Sequence, residues 1–155
     1  MASEKSKSMT WGTPLRSPAV ESTAPRIKVV FGKLRFDAHD VGARYVMRKM
    51  VEAGMEVVFI RIALVDELVQ AALQEDAQVV AVSSLTGGHL VVGQDLMEAA
   101  RSAGIQDRLF IMGGVIADED HLKLTEYGLD GVFGPGSRPT DIVSFIEENV
   151  SKEEG

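Results

Sequence analysis

The chain has 155 residues, of which 45% are hydrophobic, 25% are charged and none is cysteine, and its formal net charge is −7. That length suits one compact domain, and the lack of cysteine excludes disulfides, thiolate metal sites and cysteine nucleophiles. The acidic balance argues against nucleic acid or an anionic membrane as a partner, and no apolar run approaches the roughly 20 residues that span a bilayer.

Residues 1–25 are rich in Ser, Thr, Pro and Lys and show no periodicity, which predicts a flexible N-terminal extension. Trp11 and Leu15 are the apolar points at which such an arm could anchor on a partner. The segment has no apolar core of a signal peptide, so a cytoplasmic location is expected. Residues 26–150 then alternate short β-rich runs with helical patterns, and residues 151–155 read as a disordered tail.

In chain order, Ile27–Phe31 reads as a buried strand and Val41–Ala53 as a helix that stops at Gly54. Val57–Ile60 is a second strand. Asp66–Gln74 follows as a helix with Leu68, Val69, Ala72 and Leu73 on its apolar face. Val79–Val82 is the third strand, and Val91–Ala103 is a helix capped by Gly104. Leu109–Met112, Glu119–Tyr127, Gly131–Phe133 and Thr140–Asn149 complete five βα units. Strands that are apolar throughout, alternating with helices, imply a parallel sheet covered on both faces. The expected fold is α/β, a flavodoxin-like doubly wound five-stranded sheet in the order 2-1-3-4-5. Its ligand edge should lie at the carboxyl ends of the strands.

Four loops meet at that edge. After the first strand, Lys33 is followed by Asp37, Ala38, His39, Asp40, Val41 and Gly42, forming D-x-H-x-x-G. A loop histidine can bind a metal through one ring nitrogen while a carboxylate two residues away takes the hydrogen of the other. Lys33 can hold that carboxylate ionised, and Gly42 lets backbone approach a bulky ligand. A solvated histidine beside a helix-capping aspartate is the competing explanation for this motif alone. After the third strand come Ser83, Ser84, Leu85, Thr86, Gly87, Gly88 and His89; after the fourth, Gly113 and Gly114; after the fifth, Phe133, Gly134, Pro135, Gly136 and Ser137. Each could be an ordinary turn, but together they make one edge of hydroxyls and glycines. His121 sits on a helix that reads as exposed, and Arg44, Arg48 and Lys49 give the first helix a basic stretch.

The ordered set Asp37-x-His39-x-x-Gly42, Ser83-x-Leu85 and Gly113-Gly114 resembles the cobalamin-binding domain of B12-dependent mutases and methionine synthase. Lys33, the run Ala72–Asp76 and the run Gly113–Asp120 are most similar to the small subunit or C-terminal domain of methylmalonyl-CoA mutase-like enzymes. The chain departs from that pattern at Arg35, Ala38 and Val41.

The resemblance implies a base-off, His-on cofactor with His39 as axial cobalt ligand, Asp37 as its orienter and Lys33 completing the relay. Ser83, Leu85, Thr86, Gly87, Gly113 and Gly114 would line a slot for the nucleotide tail. Phe133, Gly134, Gly136 and Ser137 would close over it. It implies adenosylcobalamin as cofactor, and a hetero-oligomer with a large catalytic mutase subunit whose barrel binds an acyl-CoA for radical carbon-skeleton rearrangement. The rival readings are a corrinoid carrier of a methyltransferase system, a cobalamin-responsive regulatory module, and a flavodoxin-like module that binds no corrin. Methyl-carrying corrinoid proteins tend to have a helical cap domain ahead of this fold, and the polar segment of about 25 residues here is expected to be too short to build one.

Overall fold

A computed structural model describes residues 14–15, 26–34, 41–84, 88–134 and 136–154. Five strands, β1 (Lys28–Leu34), β2 (Glu56–Ala63), β3 (Val79–Ser84), β4 (Leu109–Gly114) and β5 (Gly131–Phe133), alternate with five helices. The helices are α1 (Val41–Glu52), α2 (Val65–Glu75), α3 (His89–Ala103), α4 (Asp118–Tyr127) and α5 (Pro139–Glu154). The five strands are parallel and lie in the order β2-β1-β3-β4-β5, as expected. Within the segment expected to be a flexible extension, Pro14–Leu15 pairs antiparallel with Val58 and Val57 on the outer edge of β2.

Alternate residues of each strand enter opposite cores, which is the consequence of the two-residue side-chain period. Val30, Val80 and Phe110 pack with Leu68, Leu96 and Leu124 under α2, α3 and α4. Val29, Val79 and Leu109 pack with Met47, Met50 and Ile146 under α1 and α5. With both faces covered, the strands can be apolar along their length. At the amino-terminal edge of the sheet Lys28 Nζ lies 3.3 Å from Glu75 and 3.7 Å from Glu56. The Gln78 side chain also accepts from the Lys28 N–H at 2.8 Å.

Several boundaries differ from expectation, each for an identifiable reason. β1, β3 and β4 run on through Gly32-Lys33-Leu34, Ser83-Ser84 and Gly113-Gly114, residues expected in loops. Pairing with neighbouring strands, Lys33 against Ser83 and Ser83 against Gly113, extends the ladder beyond its apolar part. Leu73, expected on the buried face of α2, is 39% exposed. It sits a further 100° around the helix from Ala72, and the buried line is Leu68, Val69, Ala71, Ala72 and Glu75. α2 ends at Asp76 in a left-handed conformation, φ 53, where no glycine marks the stop. α5 continues to Glu154, through residues 151–154 of the expected tail. No glycine or proline interrupts it, and Asn149 donates to the Phe145 carbonyl one turn back instead of ending the helix. Among the described residues no helix is long and apolar enough to cross a membrane.

Candidate functional site

Strand register builds the site. Phe31, Ala81, Ile111 and Gly131 stand side by side in one row across the sheet, and Lys33, Ser83, Gly113 and Phe133 form the row two residues on. Residues two apart share a face, so both rows look towards α1 and α5, where Phe31, Ala81 and Ile111 join the core. Ala81 is small and Gly113 has no side chain, so the sheet surface dips at β3 and β4. Ala43, Val46 and Met50 of α1, spaced at i, i+3 and i+7, bound the dip on one side, and Pro139 and Ile142 of α5 bound it on another. The result is a cavity of about 360 Å³, within the range of roughly 300–1,000 Å³ usual for small-molecule sites.

Polarity changes along the cavity. Phe31, Met50, Ala81 and Ile111 at the floor are buried. Gly136 and Ser137 at the mouth are exposed, and Tyr45 there is 50% exposed. The second row lies roughly 6.6 Å nearer the carboxyl edge, at about 3.3 Å rise per residue, and it brings the Ser83 side chain to the mouth. Gly42 also lines the opening, and a Cβ there would meet nothing within 4 Å.

The two glycines ending β4 differ. Gly114 has φ +144, and a Cβ on it would collide with the Ser84 carbonyl of β3, so the backbone needs glycine there. A Cβ on Gly113 would make only ordinary contact with the Phe133 carbonyl at 3.6 Å. It would take up cavity space instead.

Lys33 is 7% exposed, inside β1 rather than in a loop, and the pairing of β1 with β2 shifts register between Gly32 and Leu34. Among the described residues no carboxylate forms an ion pair with it. His89, also 7% exposed, begins α3. Its Nε2 donates to the Val115 carbonyl at 2.8 Å, because a carbonyl can only accept. That bond ties the start of α3 to the end of β4. His121, expected to be a structural or solvated residue on an exposed helix, is half-buried, and its Nε2 is shielded without a partner among the described residues. The ring stands against Gly134, where a Cβ would lie 3.2 Å from Nε2.

Of the residues expected at the site, the structure brings together Gly42, Ser83, Gly113, Gly114, Phe133, Gly134, Gly136 and Ser137 around one cavity. Val41 opens α1. Asp37, Ala38, His39, Asp40, Leu85, Thr86 and Gly87 lie outside the described residues. Sequence reasoning missed the floor and the helix walls, Phe31, Ala43, Val46, Met50, Ala81, Ile111 and Ile142, because an apolar residue facing a cavity and one facing core look alike. The available signal was the drop to small side chains at Ala81 and Gly113, in adjacent strands.

A family model described as the B12 binding domain matches residues 27–144. The pivalyl-CoA mutase small subunit of Xanthobacter autotrophicus is 34% identical over 121 residues, covering 77% of this chain and 81% of that protein. The 2-hydroxyisobutanoyl-CoA mutase small subunit of Aquincola tertiaricarbonis is 32% identical over 126 residues, covering 81% of this chain and 93% of that one. Methylmalonyl-CoA mutase of Cereibacter sphaeroides is 36% identical over 118 residues, but this chain spans only 16% of its length. Among solved structures, a cobalamin-binding protein from Desulfitobacterium hafniense superposes with a TM-score of 0.67 at 25% identity, covering 79% of this chain and 58% of that one. The receiver domain of the response regulator NarL from Mycobacterium tuberculosis gives 0.65 at 16% identity over 83% of this chain and 98% of that one, a likeness of fold alone.

Proposed function

Because the chain belongs to the B12-binding domain family, we propose that it is the cobalamin-binding subunit of an adenosylcobalamin-dependent acyl-CoA mutase. The observation that carries this reading is the slot at the carboxyl ends of β1, β3 and β4, apolar at its floor and polar at its mouth, beside the buried Lys33. The residues fit the cofactor's nucleotide tail. Ala81 and Gly113 leave the depth, Gly42 leaves the opening, and Ser83 and Ser137 offer hydroxyls where a sugar and phosphate need them. Leu85, Thr86 and Gly87 would complete the wall, and Phe133, Gly134 and Gly136 would close it.

His39 would be the cobalt ligand, in place of the tail's own base. Asp37 would accept the hydrogen of the other ring nitrogen, fixing the tautomer and raising the basicity of the ligand. A buried ammonium is costly unless paired, and Asp37 is four residues beyond Lys33 in the chain. Their pairing would keep Asp37 ionised and so make it a better acceptor for His39. Bound adenosylcobalamin supplies radical carbon-skeleton chemistry, and the protein supplies ligation, orientation and exclusion of water. The acyl-CoA would bind on a separate large subunit in a hetero-oligomer. Similarity to two mutase small subunits over 81% and 93% of their lengths supports this.

The test is the absorption spectrum of the purified chain mixed with adenosylcobalamin and desalted, beside His39→Ala. Retained cobalamin with a base-off spectrum that changes in the variant is the expected result. An identical spectrum in the variant would remove His39 as ligand. No retention, alone or with a large mutase subunit added, would remove the cobalamin reading.

A further inference from the structure

We infer that the outer margin of β2 is a docking strip for this chain's own residues 9–13, which would carry the Pro14–Leu15 pairing on towards the site edge and set Trp11 opposite Arg61. The matched B12 binding domain starts at residue 27, so the docking segment lies outside it and the inference does not depend on the cobalamin reading.

The strip follows from the direction in which β2 aims its backbone. Glu56 donates its N–H to the Ile27 carbonyl at 2.9 Å, so Glu56 faces the β1 side. Backbone groups alternate in direction along a strand. Val58 and Ile60 therefore also face β1, while Val57, Phe59 and Arg61 aim N–H and C=O at the outer margin. Leu15 stands opposite Val57, and Pro14 stands opposite Val58. Proline, which has no N–H, thus falls where none is required. No described residue pairs with Phe59 or Arg61 on that side, and such a row of backbone groups is a template for an added strand.

The pairing is antiparallel, so the chain before Pro14 leads towards the carboxyl ends of the strands, where the slot opens. The same register carried on would put Thr13 opposite Phe59, Gly12 opposite Ile60 and Trp11 opposite Arg61, and Met9 would meet Ala63, the last residue of β2. Thr13 and Trp11 each bring an N–H and a C=O to the waiting groups, and both are strand-forming types. Residues directly opposite share a face. Phe59 packs on the α1 face, edge-on to Phe31 with ring centres 6.2 Å apart. Trp11 would extend that aromatic row. Arg61 is exposed and forms no ion pair among the described residues, so its guanidinium would lie over the indole as a cation on a π-face.

The chain has no cysteine and a single tryptophan, which makes two tests specific. Trp11→Cys with Arg61→Cys, oxidised by glutathione disulfide, should close a disulfide within one chain, because opposed Cα atoms of a hydrogen-bonded antiparallel pair lie about 5.5 Å apart, inside the range that a disulfide spans. Trp11→Cys with Ile60→Cys, whose second thiol belongs to the opposite face, should close severalfold less. In the chain with its own residues, Trp11 fluorescence should be shifted to the blue of free tryptophan. Thr13→Pro, which removes the N–H meant for Phe59, should shift it back and raise quenching by acrylamide severalfold. Equal closure by the two cysteine pairs, including none by either, would overturn the inference, as would parent emission identical to that of free tryptophan. A disulfide that links two chains in dilute solution would assign the margin to a second copy and overturn it as well.

Discussion

Replacing each glycine of the Gly113-Gly114 pair by alanine should produce opposite phenotypes. At Gly114 the φ of +144 is one that side-chain-bearing residues rarely adopt, and the new Cβ would run into the Ser84 carbonyl. A left-handed backbone costs an L-residue about 1–2 kcal/mol, and overpacking costs a further 1–3 kcal/mol or so. Here the obstacle is strand backbone paired in register with Gly114 itself, which cannot rotate aside as a side chain can. The expected loss is therefore about 2–5 kcal/mol, against a whole-domain stability of roughly 5–15 kcal/mol. At Gly113 the added methyl meets only the Phe133 carbonyl at 3.6 Å, and the stability change should stay within about 1 kcal/mol. That methyl would stand in the slot, so cobalamin retention should fall at least tenfold. Urea unfolding followed by circular dichroism gives the first quantity, and dialysis against cobalamin gives the second. A Gly114→Ala protein within about 0.5 kcal/mol of the parent, the range of ordinary surface changes, would refute the strain argument. So would Gly113→Ala proving the less stable of the two.

A Cβ on Gly32 would strike the Leu68 side chain, so Gly32→Ala should cost about 1–3 kcal/mol. Adding Leu68→Ala should then lose less than the sum of the single changes in a double-mutant cycle by urea unfolding. Lys28→Met would strand Glu75, whose side chain is 5% exposed beside a lysine side chain 25% exposed. The expected loss is about 2–3 kcal/mol, below the figure for fully buried pairs because Lys28 keeps some water. Lys28→Met combined with Glu75→Gln should recover most of it. Partial burial pushes the Asp130 carboxyl above its ordinary 3.8, and the hydrogen bond from the Phe110 N–H, 2.8 Å away, opposes the rise. A raised folded pKa means that its contribution is fully favourable below pH 3.8 and is lost as pH rises through the folded value. Asp130→Asn, able to accept the same N–H, should thus be slightly more stable than the parent at neutral pH. That advantage should vanish in thermal melts taken below 3.8.

The fold was legible because its strands are buried on both faces. Runs such as Val79-Val80-Ala81-Val82 have few alternatives, and Gly104, at φ 78, marks the end of α3 plainly. The carboxyl ends of the strands were not legible. Lys33, Ser83, Ser84, Gly113 and Gly114 are strand residues by hydrogen bonding to neighbours far away in the chain, which no local pattern records. The Asp76 cap was hidden for a similar reason, since aspartate adopts a left-handed turn only occasionally. At the site, the glycines and hydroxyls of the mouth could be read from loop composition, while the apolar floor could not. The helix that carries His121 reads as exposed, and its own pattern does not record that Gly134 stands against the ring.

Pro14–Leu15 gives the sheet an unusual border. β2 is an eight-residue strand at one margin, whereas β5 at the other has three. A long apolar margin is a template on which further chains can stack. The antiparallel addition at Val58 and Val57 occupies part of it, and the addition is self-limiting. Proline has no N–H to offer an incoming strand, so the new border is a poorer template than the one it covers. A shortened chain starting at Arg26 would keep the slot but present Val57 and Val58 bare, and its solubility should fall with concentration where that of the longer chain does not.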